Sequence, residues 1–245
     1  MLDPILIDVN RQVVTVKLMD DSWIINECVG GHPLRPRPGN VWKDSDHCGR
    51  LREVPGSKFR DFWREAKDRY GNCAVIAWHE DRALGHLVWL PRAAARDARA
   101  SGWNYFGPPE EDDGVLVVVN LAFCSLSGHE FRRKGVCKAM ARLMIAWAKQ
   151  NGWRTVEVYN THGGLFPWEW LDSCIPPKPF WEGRNFTVFA HRPRRFTDDE
   201  LSALLADNPR NSDQEQAEKR QIVASVRAGL IDESQTGSFD LRLAI

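Results

Sequence analysis

An α+β (mixed α/β) fold, with a central mixed sheet flanked by helices, is predicted for this 245-residue chain. Three observations predict it. Val115 to Cys124 is almost continuous in apolar residues, the pattern of a strand buried on both faces. From Val136 the apolar residues fall at Ala139, Met140, Leu143, Met144 and Trp147, one face of a helix. Val156 and Val158 then alternate with Thr155, Glu157 and Tyr159, the period of a strand. Strand, loop, helix and strand over 115–159 fit a βαβ crossover.

The other elements follow in chain order. Residues 12–19 alternate well enough for a strand, and 30–57, rich in Gly, Pro and Arg, read as an irregular connection. Ser57 to Arg69 reads as a helix, with Phe59, Phe62, Trp63 and Ala66 at helical spacing, ended by Gly71-Asn72. Ala74 to Trp78 and Leu84 to Leu90 read as two strands around a turn at 79–82, the second stopped by Pro91. Residues 91–114 form a second connection with an acidic end. Asn151-Gly152 stops the central helix. Residues 161–179 form an irregular insertion carrying Phe166, Trp168 and Trp170, and Phe186 to Ala190 is a strand. Thr197 with Glu200, and Ser212 with Glu215, each match a capping box, so two polar helices should follow. Ser238 to Ile245 is a final strand. The whole is expected to be one enlarged domain, with a core over 71–190, an accessory helical segment over 197–236 and the strand 238–245.

Bulk composition narrows the function classes. A chain 43% hydrophobic and 27% charged can bury a core. Lys plus Arg balance Asp plus Glu at 33 each, which argues against broad binding to nucleic acid or anionic membranes. The longest apolar run, Val115 to Val119, is too short to cross a bilayer, and the start Met1-Leu2-Asp3 lacks a basic signal region. A cytoplasmic location is therefore expected. The six cysteines contain no Cys-x-x-Cys pair and read as reduced thiols. Cys28, His32, His47 and Cys48 fit no common zinc spacing, so no metal is expected.

The chemistry is concentrated at Arg132-Arg133-Lys134-Gly135-Val136-Cys137, between the buried strand and the helix. The first turn of a helix presents backbone N–H groups without intrahelical partners at the positive end of the dipole, which makes an anion site. Gly135 allows positive φ or close approach of a ligand, and the small Cys137 keeps that approach open. Three basic residues add charge, so a diphosphate suits the site. The patterns of a P-loop and of a dinucleotide-binding Gly-x-Gly-x-x-Gly are both absent. Alone, a glycine among basic residues also fits a solvated helix start; the flanking strand and helix tip the balance.

Phe131 to Met140 resembles the coenzyme A signature of the GNAT superfamily of N-acetyltransferases, Arg/Gln-x-x-Gly-x-Gly/Ala. Arg132 stands at the first position and Gly135 at the middle one, and Cys137 replaces the last small residue. Val156 to Asn160 is similar to the family's next strand, and Phe180-Trp181 to Phe186 to a later aromatic segment. The resemblance covers about residues 71–190 and implies a mostly antiparallel sheet. It further implies an acyl-CoA cosubstrate, most simply acetyl-CoA. The pantetheine arm would lie along Phe123, Cys124, Ser125 and Leu126, paired as an added strand. The diphosphate would sit on Arg133, Lys134, Gly135, Val136, Cys137 and Lys138 beside Arg132. Asn160 and Trp181 complete the implied cofactor set.

The implied reaction is direct attack of an amine, from a small molecule or a protein, on the thioester in a ternary complex. A backbone N–H near 124–126 would polarise the carbonyl. Trp181 occupies the position where the family often has a tyrosine acid, and indole cannot supply that proton. Tyr159, His129, His162 and Glu169 are the candidate acid–base residues by location. A non-catalytic acyl-CoA sensor is the alternative, and a homodimer is compatible with either.

Overall fold

The computed structural model describes residues 2–20, 64, 67–80, 82–92, 114–123, 131, 134–163, 176–205, 213–231 and 235–245. Its strands are β1 (Ile5–Val9), β2 (Gln12–Leu18), β3 (Ala74–His79), β4 (Arg82–Pro91), β5 (Val115–Phe123), β6 (Thr155–His162), β7 (Thr187–Arg192) and β8 (Ser238–Ala244). Its helices are α1 (Val136–Gln150), α2 (Lys178–Glu182), α3 (Asp198–Leu204) and α4 (Asp213–Arg227). The strand order is β1-β2-β3-β4-β5-β6-β8-β7. β1 through β5 pair successively antiparallel, as do β7 and β8. The fold is thus a mixed α+β fold with a mostly antiparallel sheet. Contacts divide it into two compact units, residues 1–157 with 244–245 and residues 158–243, the division falling inside β6.

In the first unit, β1 and β2 form a hairpin turned by Asn10 and Arg11, at φ 52° and 68°. Positive φ at both turn residues matches the right-handed twist of the strands, and asparagine tolerates it well. The sequence reading missed β1, although Ile5, Ile7 and Val9 alternate before that Asn. The core is built from β2 to β5 and one face of α1. Val14, Val16, Ile76, Leu87, Val118 and Met144 are all at most 2% exposed. Trp89 of β4 meets Trp147 of α1 with ring centroids 5.2 Å apart, a tilted pair contributing about 0.5–1.5 kcal/mol beyond its buried area. This contact fixes which face of β4 looks at α1. The helix ends where Asn151 Nδ2 donates to the Trp147 carbonyl (2.8 Å) and Gly152 takes φ +76°. The expected helix over 57–69 is met at residues 64 and 67–70; the rest lies outside the described residues.

In the second unit, β7 and β8 are tied by a two-pronged ion pair from Arg192 to Asp240, at 2.9 and 2.5 Å, with Asp240 buried. Hydrogen bonding to Asp240 pushes the Arg192 pKa up further. His191 stacks on Phe239, centroids 4.2 Å apart and 4° between planes. α3 starts with the expected capping box: Thr197 Oγ1 accepts from Glu200 N (3.3 Å), and Glu200 Oε2 accepts from Thr197 N (2.9 Å). α4 is tied to α3 by Arg227, which donates to Asp198 and Ser202. α2, with Pro179 in its first turn, was not foreseen. The irregular insertion was expected to run to residue 179, yet proline is tolerated in a first turn, where N–H groups have no intrahelical partner.

Candidate functional site

The site begins with an irregularity in the central strand. Trp89 pairs with Val118 and Val88 with Asn120, so Val119 is one residue too many on β5. Such a bulge bends the strand and re-aims the residues beyond it. Four residues later β5 ends at Phe123, opposite Gly85. Nothing in the apolar run announced this bulge, because a bulge leaves composition unchanged.

The chain then returns to the sheet at Phe131, which is 1% exposed and lies 5.3 Å (ring centroids) from His79 at the end of β3. This buried ring anchors the segment that enters the basic motif. Gly135 follows as the N-cap of α1, at φ 90° and ψ −1°. That is the left-handed region, which costs an L-residue roughly 1–2 kcal/mol. A Cβ placed there would meet nothing within 4 Å. Glycine is therefore called for by conformation, and among the described residues nothing crowds the place of its missing Cβ. Ala139 N donates to Gly135 O (3.0 Å), the first intrahelical bond, so the amides of 136–138 precede the ladder. Gly135, as the N-cap, has no side chain to cap this end, and the first turn holds no acidic residue. Lys134 and Lys138 are exposed and Cys137 is half-buried. The arrangement is a cationic helix start with an accessible glycine turn, and it can hold an anionic group. Val136 differs from its neighbours: the whole residue is only 2% exposed, so it offers almost no surface to a ligand in this conformation.

The remaining expected site residues divide into three groups. Cys124, Ser125, Leu126, His129, Arg132, Arg133 and Glu169 lie outside the described residues. Tyr159, Asn160 and His162 belong to β6 within the second unit, and Tyr159 is half-buried with its ring edge-on to Phe189 at 6.0 Å. Trp181 needs correction. It is 0% exposed, its ring packs edge-on to Phe180 and Phe186, and its indole N–H donates to the Pro176 carbonyl (3.0 Å). A residue so enclosed offers no surface to a cofactor in this conformation, and it serves the core. The zinc-spacing residues Cys28, His32, His47 and Cys48 also lie outside the described residues, among which no cluster of three or more potential metal ligands occurs.

Among the described residues, two buried polar residues of the first unit were missed. Glu157 of β6 is 0% exposed and takes Arg92 Nη1 at 3.3 and 3.4 Å. Arg92 follows Pro91, which pairs with Leu116, so this ion pair sits by the start of β5, away from the motif. It neutralises a buried carboxylate. His86 is different. It pairs with Ala122 at the far end of β5, is 2% exposed, and its Nε2 has no hydrogen-bond partner among the described residues. Burial pulls its pKa down from 6.5 to about 4, so the ring is neutral at pH 7. A lone polar residue in the apolar run Leu84 to Leu90 was the signal available.

No family model matches the chain, and no curated protein matches it significantly. Among solved structures it is similar to a GNAT-type N-acetyltransferase from Kribbella flavida: 13% identity, 95% of this chain and 98% of that one covered, TM-score 0.45. A Salmonella typhimurium protein solved with its cofactor acetyl-CoA gives 11% identity, 94% and 93% coverage and a TM-score of 0.48. A ribosomal-protein-alanine N-acetyltransferase from Brucella melitensis gives 10% identity, 94% and 99% coverage and a TM-score of 0.45. At identities this low, the functional reading has to stand on the chain's own motif and geometry.

Proposed function

We propose that this chain is an acyl-CoA-dependent N-acyltransferase of the GNAT type, using acetyl-CoA as the simplest cosubstrate. One observation carries the reading. A bulged central strand precedes, in the chain, a glycine in the left-handed region, which opens a helix turn without acids and with Lys134 and Lys138 exposed beside it. An unneutralised helix start of this kind favours a di-anionic ligand. The diphosphate of the cosubstrate is held by the turn from Lys134 to Lys138, with Arg132 and Arg133 adding charge and Phe123 to Leu126 receiving the pantetheine arm. Asn160 is carried in the proposal as an arm contact by resemblance.

The reaction is attack of a neutral amine on the thioester. The C–N bond forms, the C–S bond breaks, and the amine proton leaves by way of a base. A thiol has a pKa near 8.5, so the thiolate departs with modest assistance. The fixed indole of Trp181 provides none. Tyr159, His129, His162 and Glu169 remain the proposed acid–base candidates by location. A cytoplasmic acyltransferase acting on a small-molecule or protein amine is the consistent setting. A catalytically silent acyl-CoA sensor is the second reading, favoured by the loss of a proton donor at Trp181.

The test has two arms. Calorimetry with CoA should give saturable binding to the wild type, and Gly135→Glu should weaken it at least about 100-fold through bulk and charge repulsion. Thiol release from acetyl-CoA is then followed with spermidine, benzylamine and octapeptides starting in Ala, Ser or Met. Binding with release supports the enzyme, and binding without release over the whole panel selects the sensor. Absence of CoA binding overturns both.

A further inference from the structure

A ring contact joins the end of β3 to the chain entering the basic turn. His79, the last residue of β3, stands beyond the last β2–β3 pair, Thr15 with Trp78. Its ring makes the tie that the ladder no longer makes: Nδ1 is 3.2 Å from the Val13 carbonyl oxygen. A carbonyl oxygen only accepts, so Nδ1 carries the hydrogen and donates it. On its other side His79 pairs with Arg82 of β4. The half-buried ring is thus held by the sheet, and Phe131 packs on it with centroids 5.3 Å apart and 48° between planes.

Phe131 is 1% exposed and precedes Gly135 by four residues, at most about 14 Å of chain. The turn between them and α1 has two fixings. Downstream, Val136, Ala139 and Met140 are buried on the core face of α1. Upstream, among the described residues, the fixing is Phe131 against His79. Between the two lies a glycine at φ 90°, the residue type with the most backbone freedom to lose. The shape of such a turn has to be imposed from its ends. A site ordered before its ligand arrives binds more tightly, because binding no longer carries that ordering cost.

Resting on the acyltransferase reading, we infer that His79 is a positioning residue for the CoA diphosphate: through Phe131, its ring holds the turn from Lys134 to Lys138 in its binding shape. The histidine itself does not touch the ligand. Part of the affinity of the site is thereby set by a strand end more than fifty residues upstream of the basic motif.

His79→Gln and His79→Phe test this in the full chain. Gln keeps a donor for the Val13 carbonyl and loses the ring contact; Phe keeps the ring contact and loses the donor. Calorimetry should show CoA affinity lowered about 3–10-fold in His79→Gln, the range one aromatic pair supports, and restored to within about 2-fold in His79→Phe. A merely structural histidine would leave both affinities at the wild-type value, whatever the thermal midpoints. Phe131→Leu should lower affinity by a similar factor, and adding His79→Gln to it should cost nothing further, because the two rings act as one contact. In the CoA-free chain, amide exchange over 134–138 should be faster in His79→Gln than in the wild type. Wild-type affinity or exchange in His79→Gln, equal losses in the Gln and Phe variants, or additive losses in the double variant overturn the inference and leave the acyltransferase reading standing. Failure of the wild type to bind CoA removes both.

Discussion

Two helix starts in this chain solve the same physical problem in opposite ways. α3 is closed from within: Thr197 and Glu200 satisfy each other's backbone amides, and Asp198, Asp199 and Glu200 set three acids against the positive end of the dipole. α1 has none of these. Its cap is a left-handed glycine with no side chain to offer, and its first turn holds Lys138 and no acid. A helix whose role is only structural gains stability from closing its end. One that leaves the end open gives up roughly 1 kcal/mol of capping energy and keeps its amides for something else. The contrast is why the proposed anion site falls at α1 and not at α3.

The sharpest way to break the comparison is to close α1. Gly135→Asp installs a side chain that caps well and tolerates positive φ, together with a negative charge. CoA affinity should fall by about 100-fold or more, while left-handed strain of about 1–2 kcal/mol, offset in part by any capping bond, keeps the change in thermal midpoint small. Calorimetry and a thermal scan check both; a variant that still binds CoA would show that the open end is not the ligand site.

Next in size is an effect of acid on the first unit. His86 stays neutral in the folded chain down to about pH 4, whereas unfolded histidine takes a proton near 6.5. The unfolded state binds more protons in that window, so stability falls as pH drops from about 6.5 towards 4. The loss is on the order of 3 kcal/mol at its fullest. Denaturant titrations at several pH values should show this slope in the wild type and its absence in His86→Leu.

Opening α3 is the converse change. Thr197→Ala removes its cap and should cost about 1 kcal/mol, read by urea denaturation, with CoA affinity untouched. The smallest effect belongs to Glu200, whose pKa is lowered by the Thr197 amide first and by Arg194 next. Its contribution is present above the ordinary carboxylate range and is lost as pH falls through the lowered value. A Thr197→Ala chain should show a shallower acid dependence than the wild type below about pH 4.3.

Legibility in the sequence followed the same division. α1 and its glycine were readable because periodicity and a local cluster of charges are properties of neighbours in the chain. So was the Thr197 cap, since donor and acceptor are three residues apart. The bulge at Val119, the seclusion of His86 and the burial of Glu157 against Arg92 depend on which strands pair and in what register, and no local window contains that. Trp181 was misjudged for a related reason: an aromatic residue at a suggestive position looks the same whether it faces a ligand or a carbonyl of its own unit.

The extra residue on β5 makes the two halves of that strand count differently. Up to Val118 the ladder keeps one phase with β4, and from Asn120 onward it keeps the other. Dropping a single amino acid there would exchange inside for outside at every position through Phe123. Composition and hydropathy would hardly change, but the positions next to His86 would be reversed. At this point in the chain, spacing carries information that residue identity does not.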